Sequence, residues 1–299
     1  ASCSDWIDVS PKTEVESADL FTSESGFKNA LIGVYARMTL EETYGRQMTF
    51  GYLERLVQRY DVGGVIYDEV QAARYYDYEN YDDSKNAQAT IWANLYTTIT
   101  NINNLLGYIE TNGQYITTDG YYNLIKGEAL GLRAFHYFDL LRMWGPVYSQ
   151  DPTATAVPWR ETVSTELIAP APANELVEHI LDDLHQADSL LVDDPMKLEA
   201  NVTEPFIGDR QYRMNKFAVK ALLARVYLWI GDKENAALYA GQVIDGCGLS
   251  LVSDNTDDVS MKGETLFGLK KDNMEEDFSG YWPTETPYQS VTYLLMRQD

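Results

Sequence analysis

Tyrosine residues are concentrated in one polar stretch of the sequence, residues 61–85, which shows no helical periodicity. A tyrosine ring is planar and has a polar tip, so it stacks on sugar faces, peptides or bases at little entropic cost. Neighbouring charged and amide side chains can hydrogen-bond the same ligand and orient it. We predict a ligand-binding site in this stretch, made of Arg74, Tyr75, Tyr76, Asp77, Tyr78, Asn80 and Tyr81.

A second aromatic pair, Tyr281 and Trp282, lies near the end of the sequence, and we assign it to the same site. If stacking supplies the affinity for an uncharged ligand, salt should change the binding little. The alternative is that the aromatic rings of both stretches pack against the body of the protein instead of binding a ligand.

The sequence contains no GxSxG, Walker, GxGxxG or HExxH pattern. His179 and His185 are six residues apart on a predicted helix, which is not the spacing of a metal-binding pair. The acidic run Asp254–Asp258 lacks the glycine and terminal glutamate of a calcium-binding loop. Among 46 acidic residues, nothing singles out a carboxylate pair for glycoside hydrolysis. We predict a binding protein, not an enzyme, with no cofactor and no metal.

Charge and cysteine content narrow the class of protein further. The 299 residues include 46 acidic and 23 basic ones, for a net charge of −23, which repels phosphate backbones and makes a nucleic-acid partner unfavourable. The two cysteines, Cys3 and Cys247, provide no disulfide framework. No apolar run is long enough to span a bilayer, so membrane attachment would require a lipid.

The element that we expect to organise the fold is a helix over residues 127–145. Its apolar positions run almost all the way round a helical wheel, which predicts burial on every side, including that of Phe135. A narrow polar stripe remains, in which Asp139 can pair with Arg142. The stripe consists of Arg133, His136, Asp139 and Arg142. Gly145-Pro146 ends the helix, because proline lacks the backbone N–H.

The apolar periodicity predicts a mainly α fold with helices at 22–40, 86–111, 121–144, 174–192, 214–230 and 233–246. The last two, joined at Gly231-Asp232, resemble a tetratricopeptide helix pair, so we expect stacked helix pairs interrupted by long irregular insertions. On helix 174–192 we place Asp182, Asp183 and His185 on the solvent side. Residues 146–173 form a connector rich in Pro, Ala and Thr.

Two further elements are predicted from weaker patterns. A short helix is predicted over 48–60, with one apolar face made of Phe50, Leu53, Leu56 and Val57. A short strand is predicted near the C-terminus, at residues 264–269. The resulting domain plan is an extended lead-in at 1–21, a helical domain at 22–250 and an irregular segment at 251–299.

Several segments resemble the SusD/RagB family, and they occur in order along the chain. They include the signature helix from Gly127-Glu128-Ala129 to Trp144-Gly145-Pro146-Val147, the residues Trp92, Tyr96 and Asn103 of the preceding helix, and the run Ile180-Leu181-Asp182-Asp183-Leu184. The segment at 264–269 is also similar, and the family tends to supply ligand contacts after it. The resemblance implies a surface lipoprotein of Bacteroidetes-type bacteria that binds nutrients, usually glycans.

The resemblance also implies a location and partners. Cys3 lies behind Ala1-Ser2 and ahead of Ser4-Asp5, as the acylated cysteine of such lipoproteins does. We therefore expect a lipid-anchored protein on the surface of the outer membrane, which binds oligosaccharide or polysaccharide and works with a SusC-like TonB-dependent transporter. The tyrosine-rich stretch could instead contact that transporter. Family members continue well past this length, so we expect a truncated or shortened C-terminal part.

A different class of function remains open from the residues alone. The helix pair at 213–245 would equally suit a tetratricopeptide scaffold that binds a protein or peptide. A RagB-like lipoprotein that binds peptides is a related alternative. A glycan array and a peptide pull-down would distinguish these hypotheses.

Overall fold

The computed structural model describes residues 18–58, 60–61, 72, 75–195, 206–252, 261–271, 274 and 295–296. The chain divides into two compact units: residues 1–34 with 99–268, and residues 35–98 with 269–299. Each unit is described separately.

The described residues are mainly helical, as predicted. The α-helices are α1 (Glu24–Met38), α2 (Tyr52–Leu56), α3 (Asp82–Asn112), α4 (Tyr121–Trp144), α5 (Ala173–Leu190), α6 (Lys216–Ile230) and α7 (Lys233–Gly246). Short 3-10 helices cover Gly113–Tyr115, Arg210–Tyr212 and Lys262–Glu264. Strands β1 (Tyr60–Asp61) and β2 (Leu295–Met296) pair antiparallel in the second unit, with Tyr60 opposite Met296. None of the described helices is both long and apolar enough to cross a membrane.

Helix α4 is the core of the first unit, as its composition predicts. It packs along α5 and also contacts α6, while α5 packs on α6 and α6 on α7. Leu132, Tyr137 and Leu140 have no exposed surface. The expectation of burial on every side is wrong for Phe135, which is half-buried and meets the ring of Phe267 edge-on with centroids 5.9 Å apart.

Two glycines of α4 allow its neighbours to approach closely. A Cβ atom at Gly127 would lie 2.7 Å from Leu191 Cγ and 3.2 Å from Leu190 Cβ, and one at Gly131 would lie 2.7 Å from Met214 Cγ. Normal van der Waals separation between carbon atoms is about 3.5–4.0 Å. The two glycines therefore set how near the end of α5 and the start of α6 come to α4.

A buried ionic cluster ties α4 to the chain just before α6. The carboxylate of Glu128, which has no exposed surface, accepts hydrogen bonds from Arg210 and Arg213. Arg210 is also held by Asp194, through Nε at 2.8 Å and Nη2 at 2.7 Å. Asp194 in addition accepts the backbone N–H of Lys216 in the first turn of α6 at 3.0 Å. Each buried charge is thus paired, as burial in a low dielectric requires.

The predicted tetratricopeptide-like helix pair is present as α6 and α7. Asn215 caps α6 by accepting the N–H groups of Phe217 and Ala218 at 3.0 and 2.9 Å. Gly231 ends α6 with φ +89°, a left-handed conformation that glycine adopts without strain. Asp232 then caps α7 by accepting the N–H of Asn235 at 3.1 Å. The sequence thus encodes both helix ends and the turn between them.

Three predicted boundaries or elements need correction. The helix predicted over 48–60 is limited to Tyr52–Leu56, with turns before it, and Tyr52 is its buried residue while Val57 is 52% exposed. Helix α3 begins at Asp82, four residues before the predicted start. The strand predicted at 264–269 is absent: the segment consists of the end of a 3-10 helix, bends and irregular backbone. The acidic run at 254–258 lies outside the described residues.

In the second unit, the N-terminal half of α3 provides the core, with Ile91 and Leu95 fully buried. Arg37 at the end of α1 donates from Nη2 to Asn94 Oδ1 of α3 at 2.9 Å. Gln88 of α3 donates to the hydroxyl of Tyr52 at 2.8 Å, which fixes α2 against α3. Trp92 and Tyr96 pack against each other on α3, with ring centroids 4.9 Å apart.

Candidate functional site

The described part of the predicted aromatic site is residues 75–81, which we call the tyrosine segment; it lies in the second unit just before α3. Tyr75 is 65%, Tyr76 52% and Tyr78 37% exposed, whereas Tyr81 is half-buried. The rings of Tyr76 and Tyr78 meet edge-on with centroids 6.4 Å apart. The segment therefore presents a group of aromatic surfaces to solvent.

The backbone of the tyrosine segment is fixed by polar contacts. Asp77 accepts the backbone N–H of Asn80 at 3.2 Å and the Asn80 amide at 2.9 and 2.8 Å. These hydrogen bonds from Asn80 lower the pKa of Asp77. Tyr76, at φ +50°, holds a left-handed conformation that a tyrosine rarely adopts, and its hydroxyl donates to the Leu56 carbonyl at 3.1 Å. The predicted orienting pair Asp77 and Asn80 is thus engaged in shaping the segment.

A cleft of about 300 Å³ lies in the same unit, between the turns before α2 and the start of α3. We call it the arginine cleft, because two of its lining residues are arginines. It is lined by Glu42, Arg46, Gln47, Tyr52, Arg55, Ser84, Asn86, Ala87 and Thr90. The lining is mostly polar, so the cleft suits a hydrophilic ligand rather than an apolar one.

Tyr52 links the arginine cleft to the tyrosine segment. Its ring is only 5% exposed, and burial raises the pKa of its hydroxyl despite hydrogen bonds with Gln88 and Ser84. Burial also raises the pKa of Tyr78, and the proximity of Tyr52 and Tyr76 raises it further. The tyrosine segment also contacts α2 directly, because Tyr76 donates to the carbonyl of Leu56, the residue that follows Arg55 of the cleft lining.

The tyrosine segment was predicted from the sequence, whereas the arginine cleft was not. Tyr76 contacts Tyr78, and Asp77 contacts Asn80, within the tyrosine segment. Arg74, Tyr281 and Trp282 lie outside the described residues, as does the predicted lipidation site Cys3. Residues missed are Tyr52, Arg46 and Arg55. The signal available in the sequence was that Arg46 and Arg55 lie only nine positions apart in a strongly acidic chain.

In the polar stripe of α4, in the first unit, Arg133, His136 and Asp139 are buried, and Arg142 is exposed. Arg133 forms a two-point ion pair with Asp183 of α5, and its Nη1 donates to Asn103 Oδ1 at 3.0 Å. The prediction that Asp183 faces solvent is therefore wrong: the side chain is buried because Arg133 pairs with it. The predicted pairing of Asp139 with Arg142 is confirmed.

A second aromatic group covers this ion pair. Trp159, from the connector before α5, stacks on His179 with centroids 4.6 Å apart and packs on Tyr137 at 4.1 Å. The guanidinium of Arg133 lies 5.2 Å from the Trp159 ring. Because the indole is in contact with two other rings, Trp159 serves packing here, a role that no pattern in the sequence indicated.

The histidines lie in separate environments. His136 is buried and its Nδ1 lies 2.7 Å from the Leu132 carbonyl, which fits the burial predicted for this helix. His185 is half-buried and contacts the hydroxyl groups of Tyr227 and Tyr239 at 2.9 and 3.4 Å. No group of three or more potential metal ligands occurs within the portion of the chain that the structure describes.

Fold and site define the class of protein: an α-helical protein built on tetratricopeptide-like helix pairs, with an exposed aromatic segment beside a polar cleft. The sequence profile of the SusD-like family described as "Starch-binding associating with outer membrane" matches residues 5–228. The chain belongs to this SusD-like family, as the resemblance of the α4 segment implied.

Curated relatives agree with that assignment, and a solved structure shares the fold. A SusD-like protein of Bacteroides ovatus is 26% identical over 92% of this chain and 46% of its own length, and SusD-like protein P2 of Formosa agariphila is 26% identical over 81% and 43%. The structure of a SusD homolog from Bacteroides thetaiotaomicron superposes with a TM-score of 0.64 at 23% identity, covering 84% of this chain and 47% of that one. The chain therefore spans about half the length of the proteins that it matches.

Proposed function

We propose that the chain binds glycans through the tyrosine segment of its second unit, as part of a cell-surface lipoprotein that captures oligosaccharide. The observation that carries the proposal is the exposure of Tyr75, Tyr76 and Tyr78 in a segment held rigid by Asp77 and Asn80. Large exposed aromatic side chains that burial does not explain are typical of binding surfaces. Membership of a family described as starch-binding supports a sugar as the stacking partner.

The geometry of the segment suits a binding surface. Because Asp77 and Asn80 hold the turn before any ligand arrives, little conformational entropy is lost when a sugar ring stacks on Tyr76 or Tyr78. Nothing in the described residues suggests a reaction on the bound sugar, and we propose a binding role without catalysis. The protein would hold its ligand unchanged and pass it on.

The test is calorimetric titration of the full chain with a panel of glycans. Tyr78→Ala and Tyr76→Ala should each weaken binding about tenfold, because a stacked ring is lost. Tyr76→Phe keeps the ring and loses only the hydrogen bond to Leu56, so it should bind nearly as the wild type does. Tyr115→Ala is the matched control, since Tyr115 is a 42% exposed tyrosine of the first unit. A bound glycan whose affinity is the same in all four variants would place the site elsewhere.

We further propose that the protein is anchored by acylation of Cys3 and delivers its ligand to a SusC-like TonB-dependent transporter. The family description of outer-membrane association supports this location, and two or more acyl chains hold a protein firmly on a membrane. A fatty-acid analogue should label the wild type and Cys247→Ala but not Cys3→Ala. Equal label on Cys3→Ala would remove the lipoprotein proposal. Co-purification with the transporter from native membranes tests the second part.

Peptide binding by the helix pair α6–α7 is the second candidate function. It is favoured by exposed aliphatic side chains on these helices: Leu228 is 62%, Leu238 54% and Ile244 74% exposed. A peptide array with wild type and Leu228→Ser tests it. Peptide binding that Leu228→Ser removes and Tyr76→Ala leaves intact would favour this candidate over glycan binding.

A further inference from the structure

We infer that the arginine cleft selects glycans that carry an anionic group, a carboxylate or a sulfate ester, close to the sugar that stacks on the tyrosine segment. The inference rests on the proposed glycan-binding function and adds the chemical class of the ligand.

The charge of the cleft differs from that of the chain as a whole. The chain carries a net charge of −23 and has only 23 basic residues among 299. Two of them, Arg46 and Arg55, line this one cleft together with the carboxylate of Glu42, and a second carboxylate, that of Glu41, pairs with Arg46. An acidic protein repels anions in general, so an anionic ligand needs guanidinium donors brought together in this way.

The arginine side chains suit the geometry of a carboxylate or sulfate group. A guanidinium group is planar and donates two parallel hydrogen bonds to such an anion, which gives orientation as well as affinity. Arg46 is already positioned, because its Nη1 lies 3.2 Å from Glu41 Oε2 and its side chain is 22% exposed. A guanidinium held in this way loses less conformational entropy when it meets a ligand.

The rest of the lining fits a hydroxylated molecule rather than a simple ion. The Oε1 atom of Gln47 accepts the backbone N–H of Tyr52 at 3.1 Å, which fixes the amide with its NH₂ group as the donor end. Ser84, Asn86 and Thr90 add hydroxyl and amide groups. Glu42 can accept hydrogen bonds from sugar hydroxyl groups, as carboxylates do.

Size and position connect the cleft to the proposed stacking surface. A volume of about 300 Å³ is at the small end of ligand sites, so the cleft would hold only part of an oligosaccharide. The hydroxyl of Tyr76 donates to the carbonyl of Leu56, the residue that follows Arg55 of the cleft lining, so a chain that enters the cleft can continue onto the exposed tyrosines. The sequence-based expectation that salt changes binding little holds only for a neutral ligand.

The experiment compares matched probes by calorimetry on the full chain: trigalacturonate, its methyl ester, which has the same backbone without the charge, and a sulfated carrageenan oligosaccharide. We expect an acidic probe to bind at least about tenfold more tightly than the ester. Its affinity should fall when NaCl rises from about 0.05 to about 0.5 M, because salt screens the exposed part of the ion pair. Preference for trigalacturonate identifies a carboxylate and preference for the carrageenan a sulfate ester.

Variants separate this inference from the proposed function. Arg46→Gln and Arg55→Gln should each weaken the binding of an acidic probe about tenfold and leave the affinity for the methyl ester unchanged. Arg225→Gln, at an exposed arginine of the first unit, should change neither the affinity for the acidic probe nor that for the ester. Equal binding of acid and ester, with both affinities lost in Tyr78→Ala, would overturn the anionic selectivity and leave glycan binding in place. Failure of every neutral and acidic glycan to bind would remove both.

Discussion

Arg133 of α4 and Asp183 of α5 form a buried two-point ion pair, with Nε to Oδ2 and Nη2 to Oδ1 both at 2.7 Å. Asp183 Oδ1 and Oδ2 thus each receive one guanidinium N–H, and Asn103 of α3 accepts a third from Nη1. The network joins three helices of the first unit. Because its members are almost completely buried, each depends on the others to compensate the loss of water.

Removing one partner of this ion pair should strongly destabilise the protein. Asp183→Ala leaves the Arg133 charge buried without its carboxylate, and we expect the free energy of unfolding to fall by about 3–5 kcal/mol. Asp182→Ala, at the exposed neighbouring position, should change it by less than about 0.5 kcal/mol. Urea unfolding followed by circular dichroism measures both. Similar midpoints for the two variants would show that the pair contributes little.

Stability should depend on the interior of α4 and not on the tyrosine segment. Leu140 has no exposed surface, so Leu140→Ala removes buried apolar area and leaves a cavity, at a cost of about 2–5 kcal/mol. Tyr75→Ala removes a ring that is 65% exposed, so it should lower the free energy of unfolding by less than about 1 kcal/mol. Thermal and urea midpoints should rank the two variants in this order. The reverse order would mean that the tyrosine segment belongs to the core.

Gly127→Ala and Gly107→Ala should have opposite effects although both lie in helices. Alanine favours a helix over glycine by about 1 kcal/mol. At Gly107 a Cβ atom meets nothing within 4 Å, so that variant should be more stable than the wild type. At Gly127 the Cβ atom would overlap Leu191 and Leu190, and overpacking costs about 1–3 kcal/mol. If calorimetric melting shows both variants stabilised, the approach of α5 to α4 is looser than described.

The carboxylate of Glu24 should make folding sensitive to acid. It accepts the backbone N–H groups of Thr118 and Thr117 at 2.7 and 2.9 Å. Burial alone would raise its pKa, but these hydrogen bonds and the charge of Lys28 together lower it from 4.5. Since the pKa is lower in the folded state, the stabilisation is fully present above pH 4.5 and is lost as pH falls through the folded value.

The measurement is the urea midpoint of wild type and Glu24→Gln at several pH values. The gap between them should be constant at neutral pH and narrow as the pH falls below 4.5. Glu178→Gln, at an exposed glutamate of α5, is the control and should follow the wild type throughout. A gap for Glu24→Gln that does not change with pH would show that the carboxylate charge is not what holds Thr117 and Thr118.

Helix positions were predictable from sequence because apolar periodicity and end signals agree. The turn at Gly231-Asp232 is an example, with a glycine in the left-handed conformation followed directly by a capping aspartate. The start of α3 was missed although Asp82 and Asp83 are the acidic residues that favour the first turn of a helix. Because residues 61–85 were predicted as one aromatic stretch without helical periodicity, Asp82 and Asp83 were not assigned to the helix.

The errors concern residues whose environment is set by a distant part of the chain. The pattern of its own helix predicts Asp183 at the surface. Its burial is explained only by the ion pair with Arg133, which lies fifty positions earlier in the sequence. The segment 264–269 has residues suited to a strand, but a strand needs a partner for its backbone hydrogen bonds. The arginine cleft combines the turns before α2 with the start of α3, so local spacing could not reveal it.

From α4 to α7, each helix packs against the helix that follows it in the sequence. Contacts between helices that follow one another in the sequence close shorter loops than contacts across the whole chain would, so less entropy is lost before apolar burial begins to compensate. Such a region can assemble stepwise without waiting for distant segments. We therefore expect residues 121–246 to begin folding on the ribosome, while the rest of the polypeptide is still being synthesised.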